Sequence, residues 1–283
     1  MKVVALILTL LAGPMLAQDR TMILASTTST QNSGLLDFIL PQFEAVSGIH
    51  VYVVAVGTGQ AMRIARNGDV DALLVHHRPS EDIFIMQGFG VGRVDVMVND
   101  FVIVGPTADP AEIAVSTSAA QAFEQIMSSQ NRFVSRGDIS GTHLREMDIW
   151  HDAALLPSGR WYLEVGSGMG TALNLASGLN AYILTDRGTW LSFRNRGDLT
   201  ILFEGGTGMR NPYGYIRANP AQFPHVKSDE AAALGDWLIS VEGQAAIGAF
   251  RINDVQLFCP DALPTPDQSQ DQHRTCAANA LQR

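Results

Sequence analysis

The chain has 283 residues and a formal net charge of −9 at pH 7, with 28 acidic against 19 basic side chains. That sign excludes a nucleic-acid or anionic-membrane binder, and any bound anion must be held by local donors instead of the overall field. Apolar content of 46% excludes global disorder, and the length suits one large core or two lobes of ordinary size.

The first seventeen residues read as a signal peptide. Lys2 is a short positive start, the apolar run at 3–11 is too short to span a bilayer, and small residues at 12–17 precede a cut before Gln18. Export to the periplasm follows as an expectation. Beyond it, short β-branched runs alternate with amphipathic helical stretches. Residues 22–25 read as a strand and 33–46 as a helix with Leu36, Ile39, Leu40 and Phe43 on one side. Pro41 should kink or split that helix, and Gly48 should end it. Strands at 51–56 and 72–75 follow, with a short helix from Gln60 between them and Ser80 as the cap of the next helix. The stretch NDFVIVGP at 99–106 is a strand with a Gly-Pro stop.

The alternation resumes with helix 119–130, strand 132–135 and helix 142–154, then strands at 181–185 and 200–203. Gly205-Gly206-Thr207-Gly208 is a flexible break. A last extended run at 213–218 precedes helices at 228–238, capped by Ser228, and 244–250. Buried strands alternating with helices indicate an α/β fold with mostly parallel sheets and helices on both faces. The two breaks suggest two lobes joined by two crossing strands. One lobe comprises 18–103 with 207–258, the other 104–206, and 259–283 is a polar extension. Cys259 and Cys276, the only cysteines, are expected to pair in an oxidising compartment.

Ligands of open α/β sheets bind beyond the carboxyl ends of strands, where helix N-termini point. Three such turns are rich in hydroxyls and glycine: Ser26-Thr27-Thr28-Ser29-Thr30, Gly57-Thr58-Gly59, and the run from Ser135 through Arg136, Asp138 and Ser140 to Thr142. Each alone reads as ordinary N-capping; three together, one with an arginine, read as an anion cradle. Arg136 and Asp138, two positions apart at a strand end, can face one side, so Asp138 would orient the guanidinium. A fourth turn, Gly166 to Thr171, only loosely approaches a dinucleotide fingerprint.

These blocks resemble one family. LASTTSTQNSGLLDFILPQFE, VVAVGTGQAM, DALLVHHRPSED, VMVNDFVIVGP, FVSRGDISGTH, GSGMGTAL, AYILTDRGTW and NPYGYI occur in its order, and the likeness runs over residues 23–250. The chain resembles the tungstate-type periplasmic binding proteins of ABC importers, which have the two-lobed type II periplasmic binding fold. The resemblance implies capture of tungstate, or molybdate, between the lobes and delivery to the membrane permease. It implies no catalysis, cofactor or metal site, and a monomer is expected. By analogy Thr28, Ser29, Thr58, Arg136, Ser140, Thr142 and Thr171 would contact the anion; Ser26 departs from the family's Thr-Thr-Thr-Ser turn.

The same R-x-D-x-S-G-T core is similar to that of phosphate-binding proteins, so a phosphate or sulfate binder is the alternative. Phosphate carries a proton at neutral pH and wants an acceptor carboxylate, whereas tungstate, molybdate and sulfate want only donors. Where phosphate binders place that acid, after strand 72–75, this chain has His76, His77 and Arg78. A secreted hydrolase using Ser140 with His143 or His151 is a remote alternative, since no G-x-S-x-G elbow is present.

Overall fold

A computed structural model describes residues 20–262. The expected signal peptide, its cut before Gln18, and Cys276 lie outside the described residues. The chain begins β1 (Arg20–Thr27), α1 (Thr28–Asn32), α2 (Leu35–Ser47), β2 (Ile49–Val56), α3 (Thr58–Arg66), β3 (Ala72–Val75), α4 (Arg78–Met86) and β4 (Gly90–Pro106). It continues with α5 (Ala119–Ser129), β5 (Phe133–Ser135), α6 (Gly141–Asp152), β6 (Tyr162–Glu164), α7 (Met169–Leu179), β7 (Ile183–Asp186), α8 (Arg187–Ser192) and β8 (Leu199–Glu204). Then come β9 (Arg210–Ala218), α9 (Ser228–Ile239), α10 (Val241–Ala249) and three short strands, β10 (Arg251–Ile252), β11 (Val255–Gln256) and β12 (Cys259–Pro260).

Helical crossovers bring β2 and β3 parallel to either side of β1. β9 joins antiparallel to β3, and β4 antiparallel to β9, with β12 on the far edge of β4. Past Asp100 the same β4 leaves β9 and pairs antiparallel with β7 and β8. The result is one eight-stranded mixed sheet, beside a parallel β5–β6 pair. The parallel arrangement read from the alternation describes β1 to β3 and β5 to β6; the long β4 and β9 enter antiparallel.

The core divides by chain position. Met22 to Met97 and Tyr213 to Phe258 supply the clusters packed under α2, α9 and α10 and under α3 and α4. Phe101 to Met209 supply those under α5 and α6 and under α7 and α8. The changeover on β4 falls at Asn99 and Asp100, both buried polar residues. There Arg187 holds Asp100 through Nε and Nη2 (2.9 and 2.6 Å) and Glu204 at 2.5 Å, tying β4, α8 and the end of β8 together. The chain returns through Gly205 and Gly206, both with positive φ, a conformation that suits glycine.

Several local expectations are corrected. Pro41 does not split its helix but lies inside a single α2. It and Asp37 are exposed, so water can take the carbonyl that proline leaves unpaired. Ser80 is not a cap: His77 occupies that position of α4, and the Ser80 hydroxyl bonds His77 Nδ1 at 2.6 Å. Lys227, not Ser228, precedes α9. β4 starts at Gly90, nine residues earlier than read, because β9 supplies pairing that Gly90, Gly92 and two charged residues conceal locally.

Candidate functional site

Strand register gathers the turns at one edge. Thr27 pairs with Val56, so the start of α1 lies beside the start of α3; Ser26 pairs with Leu74, so His76 follows at the same level on the other side. Thr27 caps α1, accepting from Thr30 N at 3.3 Å, and its hydroxyl lies 3.1 Å from Ser29 Oγ. Thr28 is exposed and Ser29 half-buried. Ser26 Oγ donates to Leu74 O at 2.9 Å and so serves the sheet.

The second wall comes from the other core set. Gly59 N donates to Ile139 O at 3.0 Å, bringing the start of α3 against the loop that opens α6. Gly141, the first residue of α6, approaches so closely that an added Cβ would stand 2.5 Å from His76 Cε1 and 3.0 Å from Thr58 Oγ1. Thr58, Ser140 and Thr142 are buried there. By helix geometry the amides of Gly141 and Thr142 have no partner within α6.

Arg136 is 11% exposed, and its Nη2 donates to Asp138 Oδ2 at 2.5 Å. Asp138 Oδ1 accepts from both Ser140 N (3.0 Å) and Ser140 Oγ (2.5 Å). Both donors of Ser140 are therefore committed to Asp138, while its oxygen caps α6 by accepting from His143 N. His143 turns its ring to Ser135 Oγ at 3.2 Å, and its pKa is raised chiefly by the bond to Glu146. Ser140 and His143 do not form a nucleophile–base pair, and His151 is 92% exposed. Thr171 sits exposed on the first turn of α7, whose leading loop donates Gly166 N to Arg136 O at 2.8 Å.

Two buried groups escaped the sequence reading as site components. His76 Nδ1 lies 2.8 Å from Asn211 Oδ1, and its ring packs on Tyr213. Burial pushes its pKa down to about 4 against the Asn211 bond, with His77 and Arg136 adding repulsion, so His76 is neutral at pH 7. Asp186, at the end of β7, accepts from Thr189 N and Oγ1; burial raises its pKa, while those bonds and the field of Arg136 oppose the rise. The available signal was position: each directly follows or ends a strand, where the three turns also stand.

Among the described residues, few buried side-chain polar atoms lack a partner, and two of them are Thr58 Oγ1 and Arg136 Nε. Leaving such a group unmet costs about 1–3 kcal/mol, which makes their shared location informative. Both can donate, and the carboxylates of Asp138 and Asp186 are already engaged. The arrangement can hold a small proton-free anion; it contains no aligned nucleophile.

A family model for the PBP superfamily domain matches residues 15–242. The tungstate-binding protein TupA of Peptoclostridium acidaminophilum is 40% identical over 246 residues, 86% of each chain. Among solved structures, a tungstate ABC transporter protein from Geobacter sulfurreducens is 48% identical with a TM-score of 0.75, over 81% of this chain and 98% of that one. The tungstate-binding protein TupA of Desulfovibrio alaskensis G20 is 40% identical with a TM-score of 0.76, over 86% and 100%. The chain therefore belongs to the PBP superfamily and, within it, to the family that holds these tungstate-binding proteins.

Proposed function

We propose that this protein is an extracytoplasmic solute-binding protein that captures tungstate and delivers it to an ABC importer, and that it is not an enzyme. The observation that carries the reading is the pair of unpartnered buried donors, Thr58 Oγ1 and Arg136 Nε, in a cradle opened by helix N-termini. We assign the anion to Arg136, Thr58, Thr142 and the first amides of α6, with Thr28 and Ser29 closing from α1 and Thr171 at the outer edge. Asp138 and Ser140 act by holding Arg136 and the α6 start in place. The two core sets are then two lobes, bounded near residues 103 and 207, that close on the anion. The protein works as a monomer, exported by its first seventeen residues.

Donor chemistry separates the candidate anions. A proton on phosphate meets no free carboxylate, and an unsatisfied buried hydroxyl costs about 1–3 kcal/mol, roughly tenfold in affinity per 1.4 kcal/mol. Sulfate has no proton, so cavity size must exclude it; the named relatives support tungstate. Competition calorimetry at pH 7 should give tight tungstate, tolerated molybdate and weak phosphate and sulfate. Tight phosphate would overturn the donor-only site and point to His76 as the proton acceptor. Tight sulfate with weak tungstate would change only the ligand.

Export and the Cys259–Cys276 bridge share one check. Cys259 lies on β12, paired with Val98 of β4, and a bridge closing the following segment would add about 3 kcal/mol. Intact mass of the exported, non-reduced protein should match a chain starting near Gln18 and two hydrogens short. A full-length chain refutes cleavage, and a mass that reduction leaves unchanged refutes the bridge.

A further inference from the structure

We propose that His77 and Asp148 form a latch between the two core sets that sets how long the anion is held, without either residue touching it; this rests on the binding reading above. His77 Nε2 lies 3.4 Å from Asp148 Oδ2. His77 follows β3 and stands at the cap of α4, in the set that includes Val75 and Phe84. Asp148 is on α6, whose neighbouring Ile149 and Trp150 belong to the other set. The pair therefore crosses from one body to the other, and it does so on the two elements that line the cradle. His76 precedes one partner, and the anion-facing start of α6 lies two turns before the other.

The His77 side is built in advance. Its Nδ1 is fixed by Ser80 Oγ at 2.6 Å, and its backbone N–H donates to Glu81 Oε1 at 2.8 Å. Glu81 is in turn held by Arg93 at 2.6 Å. All of these belong to the same stretch of chain, so the imidazole is aimed before the other body arrives. On α6, Arg145 lies one turn before Asp148, 3.5 Å from its Oδ2, and donates Nε and Nη2 to Gly208 O (2.8 and 2.5 Å) in the return crossing. One face of α6 thus meets both the opposite body and the crossing segment. His77 Nε2 is buried without an aligned hydrogen bond, although Asp148 is near. A small further approach of α6, as when an anion draws its N-terminus inward, completes that bond. Burial opposes ionisation of Asp148, but His77 and Arg145 outweigh it and hold its carboxyl below the usual range, so the latch carboxylate is charged at neutral pH.

A contact made only on closure slows release and leaves capture unchanged. Stopped-flow tryptophan fluorescence on the mature chain with tungstate, or molybdate, gives both rates. Asp148→Ala and His77→Gln should raise the dissociation rate about two- to fivefold, the range for one partly exposed hydrogen bond to a carboxylate. Association should stay at the wild-type rate, and the melting temperature of the anion-free protein should not move. Asp148→Glu, which keeps the carboxylate, should recover part of the slow release. Unchanged dissociation in Asp148→Ala, or an equal loss in association, overturns the latch. The ligand assignment fails separately: wild-type protein that binds molybdate but ignores tungstate removes the assigned anion, and the molybdate rates still decide the latch.

Discussion

Arg136→Ala is expected to weaken tungstate binding about ten- to a hundredfold or more, since a charge-assisted hydrogen bond contributes about 1.5–3 kcal/mol. The guanidinium is nearly buried, one end is held by Asp138, and Nε has no partner among the described groups. A dianion enclosed beside it gains the only charged donor assigned to the cradle, because His76 is neutral there. Removing it leaves the anion under-compensated in a low-dielectric cleft, where the loss exceeds that of a surface pair. Arg194 and Arg251 are exposed, and their alanine variants should bind as wild type. Asp138→Asn should fall between: the donor survives, but the anchor of Arg136 and the acceptor for both Ser140 donors weaken. Calorimetry that returns wild-type affinity for Arg136→Ala removes this residue from the site.

The second large effect is expected from a single methyl group. Gly141→Ala should lower affinity about five- to a hundredfold, since overpacking a tight site costs about 1–3 kcal/mol. Alanine is favoured in helices, so local propensity predicts a gain. The obstacle is space: the new Cβ would stand 2.5 Å from His76 Cε1, 2.8 Å from its Nδ1 and 3.0 Å from Thr58 Oγ1. The imidazole cannot swing away freely, because Asn211 holds Nδ1 at 2.8 Å and Tyr213 packs on the ring. The relief is for α6 to back away from α3 and β3, which separates the donors on the two walls. Since the clash lies between the bodies and not within one, the melting temperature of the anion-free protein should change little. Gly178→Ala on α7, with nothing within 4 Å of the added carbon, is the control and should bind normally. Wild-type affinity for Gly141→Ala would place the anion away from this approach.

Much of the fold was legible because its signals are local. The strand at Ala72–Val75 was read with its final bounds, and α5 and α6 with ends shifted by one or two residues, from apolar periodicity and capping residues. One misreading arose where a distant partner decided, and another from a local contact. The early half of β4 is a strand because β9 pairs with it, not because Gly90-Val91-Gly92-Arg93 prefers extension. Ser80 looks like a cap, yet His77 occupies that position and uses the Ser80 hydroxyl for its own ring.

By itself the sequence determined the alternation of strands and helices, the hydroxyl- and glycine-rich turns at strand ends, the Arg136–Asp138 spacing and the family likeness. Each depends on residues within a few positions of one another, or on their order along the chain. Only the tertiary structure decided which turns meet, and it did so through contacts between residues far apart in sequence. Gly141 against His76, Gly59 against Ile139, and His76 on Asn211 join segments separated by many tens of residues. It also decided which hydroxyls remain free: Ser140 and Ser26 are consumed by Asp138 and Leu74, while Thr58 is left without a partner. The physical reason is that a donor's availability depends on every acceptor within about 3 Å of it, and most of those acceptors are brought there by the fold.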